Sequence, residues 1–310
     1  MKLTNEQKDE IRLLLQNYVA RYPSQNKAAN SLVGISAGTL STILKKPINC
    51  QSKRSFFLIL QVNGRYETIS DDMFTKLRAQ IAGQRGEDWQ LSPTMVYQEL
   101  SMLLTDAQEY QNVAWAVAPA GAGKTTTIRD FAARHENVFV VSCSEDMHRG
   151  DFIREMARSV GVNVSDMSLK EALERVVRHL LTLDKPLLVF DEGDKLADSI
   201  FYYFITIYNR LENYCGIIFV STRYIKRRME IGLSYNKKGY DEIHSRICRK
   251  FVELTPATSY EVAAIARANG LTDERVVKTV VKDAATCDFD LRRVRREIHK
   301  QKRLAAIASK

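Results

Sequence analysis

The chain has 310 residues, 45% apolar and 27% charged, enough for two or three soluble domains, each with its own core. No apolar run approaches the roughly 18 residues of a membrane helix, and Met1–Ile11 alternates charged with apolar residues, so neither a membrane span nor a signal peptide is expected and the chain reads as cytoplasmic. Five cysteines (Cys50, Cys143, Cys215, Cys248, Cys287) without a C-x-x-C spacing argue against a metal or disulfide framework, and a net charge of +9 favours an anionic partner.

The first segment, 1–86, ends at the break Ala82-Gly-Gln-Arg-Gly86. Within it, Ser24–Leu44 has a helix-turn-helix rhythm. Ala28 and Ala29 are small enough for close helix crossing, Gly34 makes the turn, and Ser36 caps a second helix whose apolar face is Leu40, Ile43 and Leu44. That leaves Thr39 on the exposed side, with Lys45 and Lys46 beyond it, to meet bases and phosphates. Phe56–Val62 is an apolar run followed by Asn63-Gly64, and Ser70–Ile81 reads as a capped helix that completes the domain.

The second segment, 87–254, opens with a helix from Pro93 to about Glu109 and then alternates strands with helices. Strands are expected at Val113–Val117, Asn137–Cys143, Leu187–Phe190, Gly216–Ser221 and around Arg249–Leu254. Helices are expected at Lys124–His135, Asp151–Gly161, Ser168–Leu183 and Ala197–Asn213. This alternation implies an α/β fold, a parallel sheet flanked by helices with ligands at the strand C-terminal ends.

The loop after the first strand carries the strongest chemical signal. Ala118, Pro119, Ala120, Gly121, Ala122 and Gly123 lead into Lys124, Thr125 and Thr126. Small residues let backbone N–H groups turn inward around a phosphate, Lys124 adds a point charge, and Thr125 offers a hydroxyl to Mg²⁺. Alanine at 118 departs from the glycine of the usual G-x-x-x-x-G-K-[ST] pattern but keeps the turn small. The apolar run Leu187–Phe190 ends in Asp191-Glu192, as a strand buried on both faces and closing on a Walker B element does. Asp191 would hold Mg²⁺ through water and Glu192 would orient the water that attacks ATP.

The third segment, 255–310, contains only helices, expected at Ser259–Asn269, Thr272–Ala285 and Asp290–Ile307. Positive charge is unevenly spread along the chain. Residues 1–80 hold twelve Lys/Arg against six Asp/Glu, 223–250 nine against three, and 291–310 eight against one. Separate basic clusters on different elements read as a nucleic-acid path.

A phosphate-loop sheet followed by a small helical lid resembles the AAA+ architecture. The sequence Asp191-Glu-Gly-Asp-Lys-Leu196 is similar to the Walker B region of the MuB family, the target-DNA activators of transposing phages. The order of helix-turn-helix, Ala-Gly-Ala-Gly-Lys-Thr, Asp-Glu-x-Asp-x-Leu, Ser-Arg-Ile and a basic C-terminal helix resembles MuB across nearly the whole chain; IstB- and TnsC-type activators share much of it.

The resemblance implies ATP and Mg²⁺ as ligands. Ser221 or Thr222 stands where a polar sensor would feel the γ-phosphate. Arg246, in His244-Ser-Arg-Ile247, looks like an arginine finger for a neighbouring subunit, with Arg223, Arg227 and Arg228 as competitors. Arg292 matches the sensor-two arginine of the lid, with Arg293 as the fallback. The resemblance further implies a homo-oligomer, a helical filament on double-stranded DNA without sequence preference, and a transposase partner. Candidate DNA contacts are Arg149, with His148 beside it, Arg154, Lys226 and Arg227. A replication initiator or helicase loader of the same superfamily is the alternative.

Overall fold

Leu187, Leu188, Val189 and Phe190 are all fully buried, which requires helices on both faces of their strand. The computed structural model describes residues 3, 5–19, 22, 24–32, 34–44, 69–82 and 89–308, which divide into two compact units, Met1–Trp89 and Gln90–Lys310. The expected Phe56–Val62 run, Lys45, Lys46 and the break at 83–86 lie outside the described residues.

In the first unit, α1 (Asn5–Val19), α2 (Gln25–Asn30), α3 (Ala37–Leu44) and α4 (Asp71–Ala82) enclose Ile11, Leu15, Ala28, Ala29, Leu40, Ile43, Phe74 and Leu77. The Ser24 hydroxyl accepts from Lys27 N–H at 3.2 Å, and the Ser36 hydroxyl accepts from Thr39 N–H at 3.1 Å, so each short helix has a side-chain cap. Gly34, between α2 and α3, has φ 73, a left-handed conformation that glycine adopts without strain. Lys8 and Asp71 pair at 2.6 Å and tie α1 to α4.

In the second unit, β1 (Val113–Val117), β2 (Val138–Ser142), β3 (Leu187–Asp191), β4 (Gly216–Ser221) and β5 (Val252–Glu253) form a parallel sheet in the order β2-β3-β4-β1-β5. Alternate residues face opposite helical layers, as the period of a strand dictates. Ala116, Val189, Ile218 and Val220 pack with α5 (Met95–Tyr110) and α6 (Lys124–Arg134). Trp115, Phe190 and Phe219 pack on the other face with α7 (Arg149–Val160), α8 (Leu169–Leu180) and α9 (Asp198–Leu211). Their rings stack in a row, Trp115 to Phe219 at 4.5 Å and Phe219 to Phe190 at 4.9 Å.

Three expectations need correction. The cap of α5 is Thr94, whose hydroxyl accepts from Tyr97 N–H at 3.2 Å, so the helix begins two residues after Pro93. The basic stretch 223–248, over which no element was expected, holds α10 (Tyr224–Ser234) and α11 (Tyr240–Arg246). The strand expected over Arg249–Leu254 is only the two residues of β5. The three C-terminal helices α12 (Ser259–Ala268), α13 (Glu274–Ala285) and α14 (Leu291–Ala308) join the sheet in one compact unit. The Asn269 amide secures them by donating to Gln90 O and accepting from Gln90 N–H, both at 3.0 Å.

Candidate nucleotide site

Register brings the chemistry to one edge. Val117 pairs with Ser221, Val220 with Asp191, and Asp191 with Ser142, so the strands end level. Because β4 lies between β1 and β3, Ser221 and Thr222 sit between the phosphate loop and Asp191-Glu192. Gly121 and Gly123 have φ 76 and 94, which let the loop curl back on itself before α6. Gly123 caps α6 without a side chain, leaving the first N–H groups of that helix to an anion. The Lys124 ammonium folds over this loop, donating to Ala118 O at 2.9 Å and Pro119 O at 2.7 Å. Its pKa is held below the usual lysine value by burial, against the pull of Asp191 and Asp194.

The Thr125 hydroxyl donates to Asp191 Oδ2 at 2.7 Å, and burial raises the Asp191 carboxyl above the ordinary carboxylate range. A hydroxyl and a carboxylate converging beside a phosphate cradle fit Mg²⁺, which takes few protein oxygens and completes its shell with phosphate and water. Glu192 follows in a left-handed conformation, φ 59, and opens a 3₁₀ turn over Gly193–Lys195. Its carboxylate is paired with Lys195 at 2.6 Å.

Sequence reasoning assigned no role to Asp194, yet its Oδ2 accepts from both the Thr222 hydroxyl and Thr222 N–H. Both donors of the expected sensor are therefore committed to Asp194. Ser221 is committed too, accepting from Trp115 Nε1 at 2.8 Å and donating to Thr222 O at 3.1 Å. The one signal for Asp194 was its spacing, three residues beyond Asp191 in an acidic turn.

The lid reaches this edge. Leu291 N–H donates to Gly121 O at 3.0 Å, and the Asp290 carboxylate lies against Gly121. The charge of Arg292 contributes to the lowered pKa of Lys124, whereas Arg293 is held away in a bidentate pair with Asp283 at 2.6 and 2.7 Å. Residues 107–229 match the AAA domain family. The chain is also 24% identical over 263 residues to the Mu-like prophage FluMu DNA transposition protein B of Haemophilus influenzae, a match that covers 80% of this chain and 81% of that protein. The chain is similar to a MuB-like transposition protein over most of its length, and part of it matches the AAA domain family. An AAA domain with this loop and acidic strand end is a P-loop ATPase domain.

The remaining candidates in the MuB-like chain lie elsewhere. Arg246 ends α11, where its guanidinium donates to Asn209 Oδ1 at 2.8 Å and Glu242 O at 3.1 Å and lies over the Tyr208 ring. It lines a cavity of about 480 Å³ with Val113 and Cys215, at the edge of the sheet where β1 and β4 begin, and so is not gathered with Glu192 in the same chain. Of the competing arginines, Arg228 is half-buried and bonded to Asp194, Asp198 and Tyr240, and Arg223 pairs with Glu253. Lys226 also pairs with Glu253, whereas Arg227 and Arg149 are exposed and Arg154 lies 3.9 Å from Asp151. The Thr39 hydroxyl shares a hydrogen bond with Ser36 at 3.0 Å. Among the described residues, no helix is long and apolar enough to cross a membrane.

Proposed function

We propose that this MuB-like chain is an ATP-dependent DNA-binding protein of transposition, which assembles on target DNA and delivers it to a transposase. The observation that carries the reading is the contact of Thr125 with Asp191 beside the glycine-rich loop, in a chain that resembles a DNA transposition protein over most of its length. Pro119–Gly123 and the first N–H groups of α6, through Thr126, would wrap the phosphates, with Lys124 turning from Ala118 O and Pro119 O toward them. Mg²⁺, held through Thr125 and Asp191, would neutralise charge on the outer phosphates. Glu192, once released from Lys195, would orient the attacking water, and Arg292 would bring the lid's charge to the same phosphates.

Arg246 stands at the edge remote from its own phosphate loop, which suits a finger offered to a neighbouring copy. Contact between two different faces of one chain gives a heterologous interface, and such an interface builds a filament when its rotation does not close. Arg149, Arg154, Lys226 and Arg227 would meet the phosphates of double-stranded DNA without reading sequence, and Thr39, Lys45 and Lys46 would add contacts from the N-terminal helices. Those helices would serve as a helix-turn-helix, and hydrolysis would dissolve the assembly. Negative-stain microscopy with duplex DNA tests this. Helical filaments with ATP, absent with ADP or without nucleotide, are expected; closed rings or monomers in all three conditions would overturn the filament.

A further inference from the structure

Beside the phosphate site lies a polar cluster that the proposed chemistry does not use. Arg228, on α10, stacks over the Phe201 ring at 4.3 Å and directs three donors to three acceptors. Nη1 donates to the Asp194 carbonyl at 3.0 Å, Nη2 to Asp198 Oδ1 at 2.5 Å, and Nε to the Tyr240 hydroxyl at 3.2 Å. The Tyr240 hydroxyl donates to the same Asp198 oxygen at 2.7 Å. Burial and the bond to Asp198 push the Tyr240 phenol up to about 12, so it remains a neutral donor at working pH.

Each end of this cluster leads to a functional element. The Asp194 carbonyl belongs to the 3₁₀ turn that Glu192 opens at φ 59. A left-handed residue other than glycine costs about 1–2 kcal/mol and persists only where its surroundings hold it. Besides the Glu192–Lys195 pair within the turn, two groups from outside hold it, Arg228 at the Asp194 carbonyl and Thr222 at the Asp194 carboxylate. At the other end, Tyr240 begins α11, the helix that closes on Arg246. Its ring lies so close to Gly232 that a Cβ there would fall 2.0 Å from it, so Tyr240 packs directly against the backbone of α10.

We infer that Asp198, Arg228 and Tyr240 are positioning residues, a clamp that sets the turn presenting Glu192 and joins that turn to the helix carrying Arg246. The inference rests on the ATPase reading of the site. It also explains why a basic cluster at 226–228 contains one arginine withdrawn from solvent.

Tyr240→Phe tests the clamp, because it removes one hydroxyl and keeps the ring. The full chain is assayed for binding of a fluorescent ATP analogue, single-turnover ATP hydrolysis and thermal melting, with Glu192→Gln in parallel. Tyr240→Phe is expected to slow hydrolysis roughly tenfold, short of the ~100-fold that a 1 Å misplacement costs, with nucleotide affinity unchanged and only the few-degree fall in melting temperature that one lost buried hydrogen-bond partner brings. Arg228→Lys, which cannot reach three acceptors, is expected to slow it at least as much. Normal hydrolysis by Tyr240→Phe beside an inactive Glu192→Gln would overturn the clamp and leave the ATPase reading standing. Slow hydrolysis with a parallel loss of affinity and melting temperature would reduce the cluster to a role in folding. Normal hydrolysis by Glu192→Gln would remove the reading itself, and the clamp with it.

Discussion

Gly121→Ala tests the contact between lid and phosphate loop in numbers. A Cβ at Gly121 would lie 2.2 Å from Asp290 Cγ and 2.3 Å from both carboxylate oxygens. Non-bonded carbons settle at about 3.5–4.0 Å, so the Asp290 carboxyl must retreat by at least about 1 Å. Retreat breaks its bonds to Arg292 N–H at 2.7 Å and Arg293 N–H at 3.3 Å, the cap of α14. Loss of such a cap costs about 1 kcal/mol, and a left-handed alanine at φ 76 costs about 1–2 kcal/mol more. The sum, about 2–3 kcal/mol, would lower the melting temperature of a unit this size by roughly 5–10 °C. Calorimetry of Gly121→Ala, Asp290→Ala and the double variant separates the terms. Asp290→Ala forfeits the cap on its own but removes the collision, so the double variant should be less destabilised than the two single losses added together. Strict additivity, or a Gly121→Ala melting temperature equal to that of the unaltered chain, would refute the packing of Asp290 on the loop.

Other expectations follow from the same geometry. Glu192→Gln should bind ATP normally and lose at least about 100-fold in hydrolysis, the usual scale for a missing general base, read by phosphate release. Ser221→Ala should leave the Trp115 indole N–H buried without its acceptor and cost about 1–3 kcal/mol in denaturant unfolding. Asp191 has a raised carboxyl pKa, so its ionised form is a penalty to the empty fold that appears as pH rises through that pKa. Asp191→Asn should therefore melt no lower at neutral pH than the unaltered chain while losing Mg²⁺-dependent nucleotide binding, and a lower melting temperature would contradict the assignment. Replacing Arg149 or Arg154 by alanine should reduce the slope of log affinity for duplex DNA against log salt by about 0.9 each if both meet phosphates, measured by fluorescence anisotropy.

The phosphate loop, the acidic strand end and the alternation of strands with helices were legible in the sequence because their signals are local. A glycine-rich turn must follow a strand and precede a helix, and a run such as Leu187–Phe190 is apolar throughout only where both faces are covered. The capping residue Ser36 likewise marked the start of α3. The tertiary structure alone decided which polar groups remain available at the site. Thr222 reads as a sensor in isolation, but Asp194 takes both of its donors once β4 settles between β1 and β3. Arg227 and Arg228 are adjacent and chemically identical, yet one is exposed and the other is spent on Asp194, Asp198 and Tyr240, because helical rotation turns neighbouring side chains about 100° apart. The helices α10 and α11 were hidden by their charge, since the buried Ile225, Met229, Tyr240 and Ile243 that dock them are few among basic residues. Sequence spacing determines which groups exist and which turn holds them; the pairing of distant donors and acceptors depends on strand order and helix rotation, which no local pattern encodes.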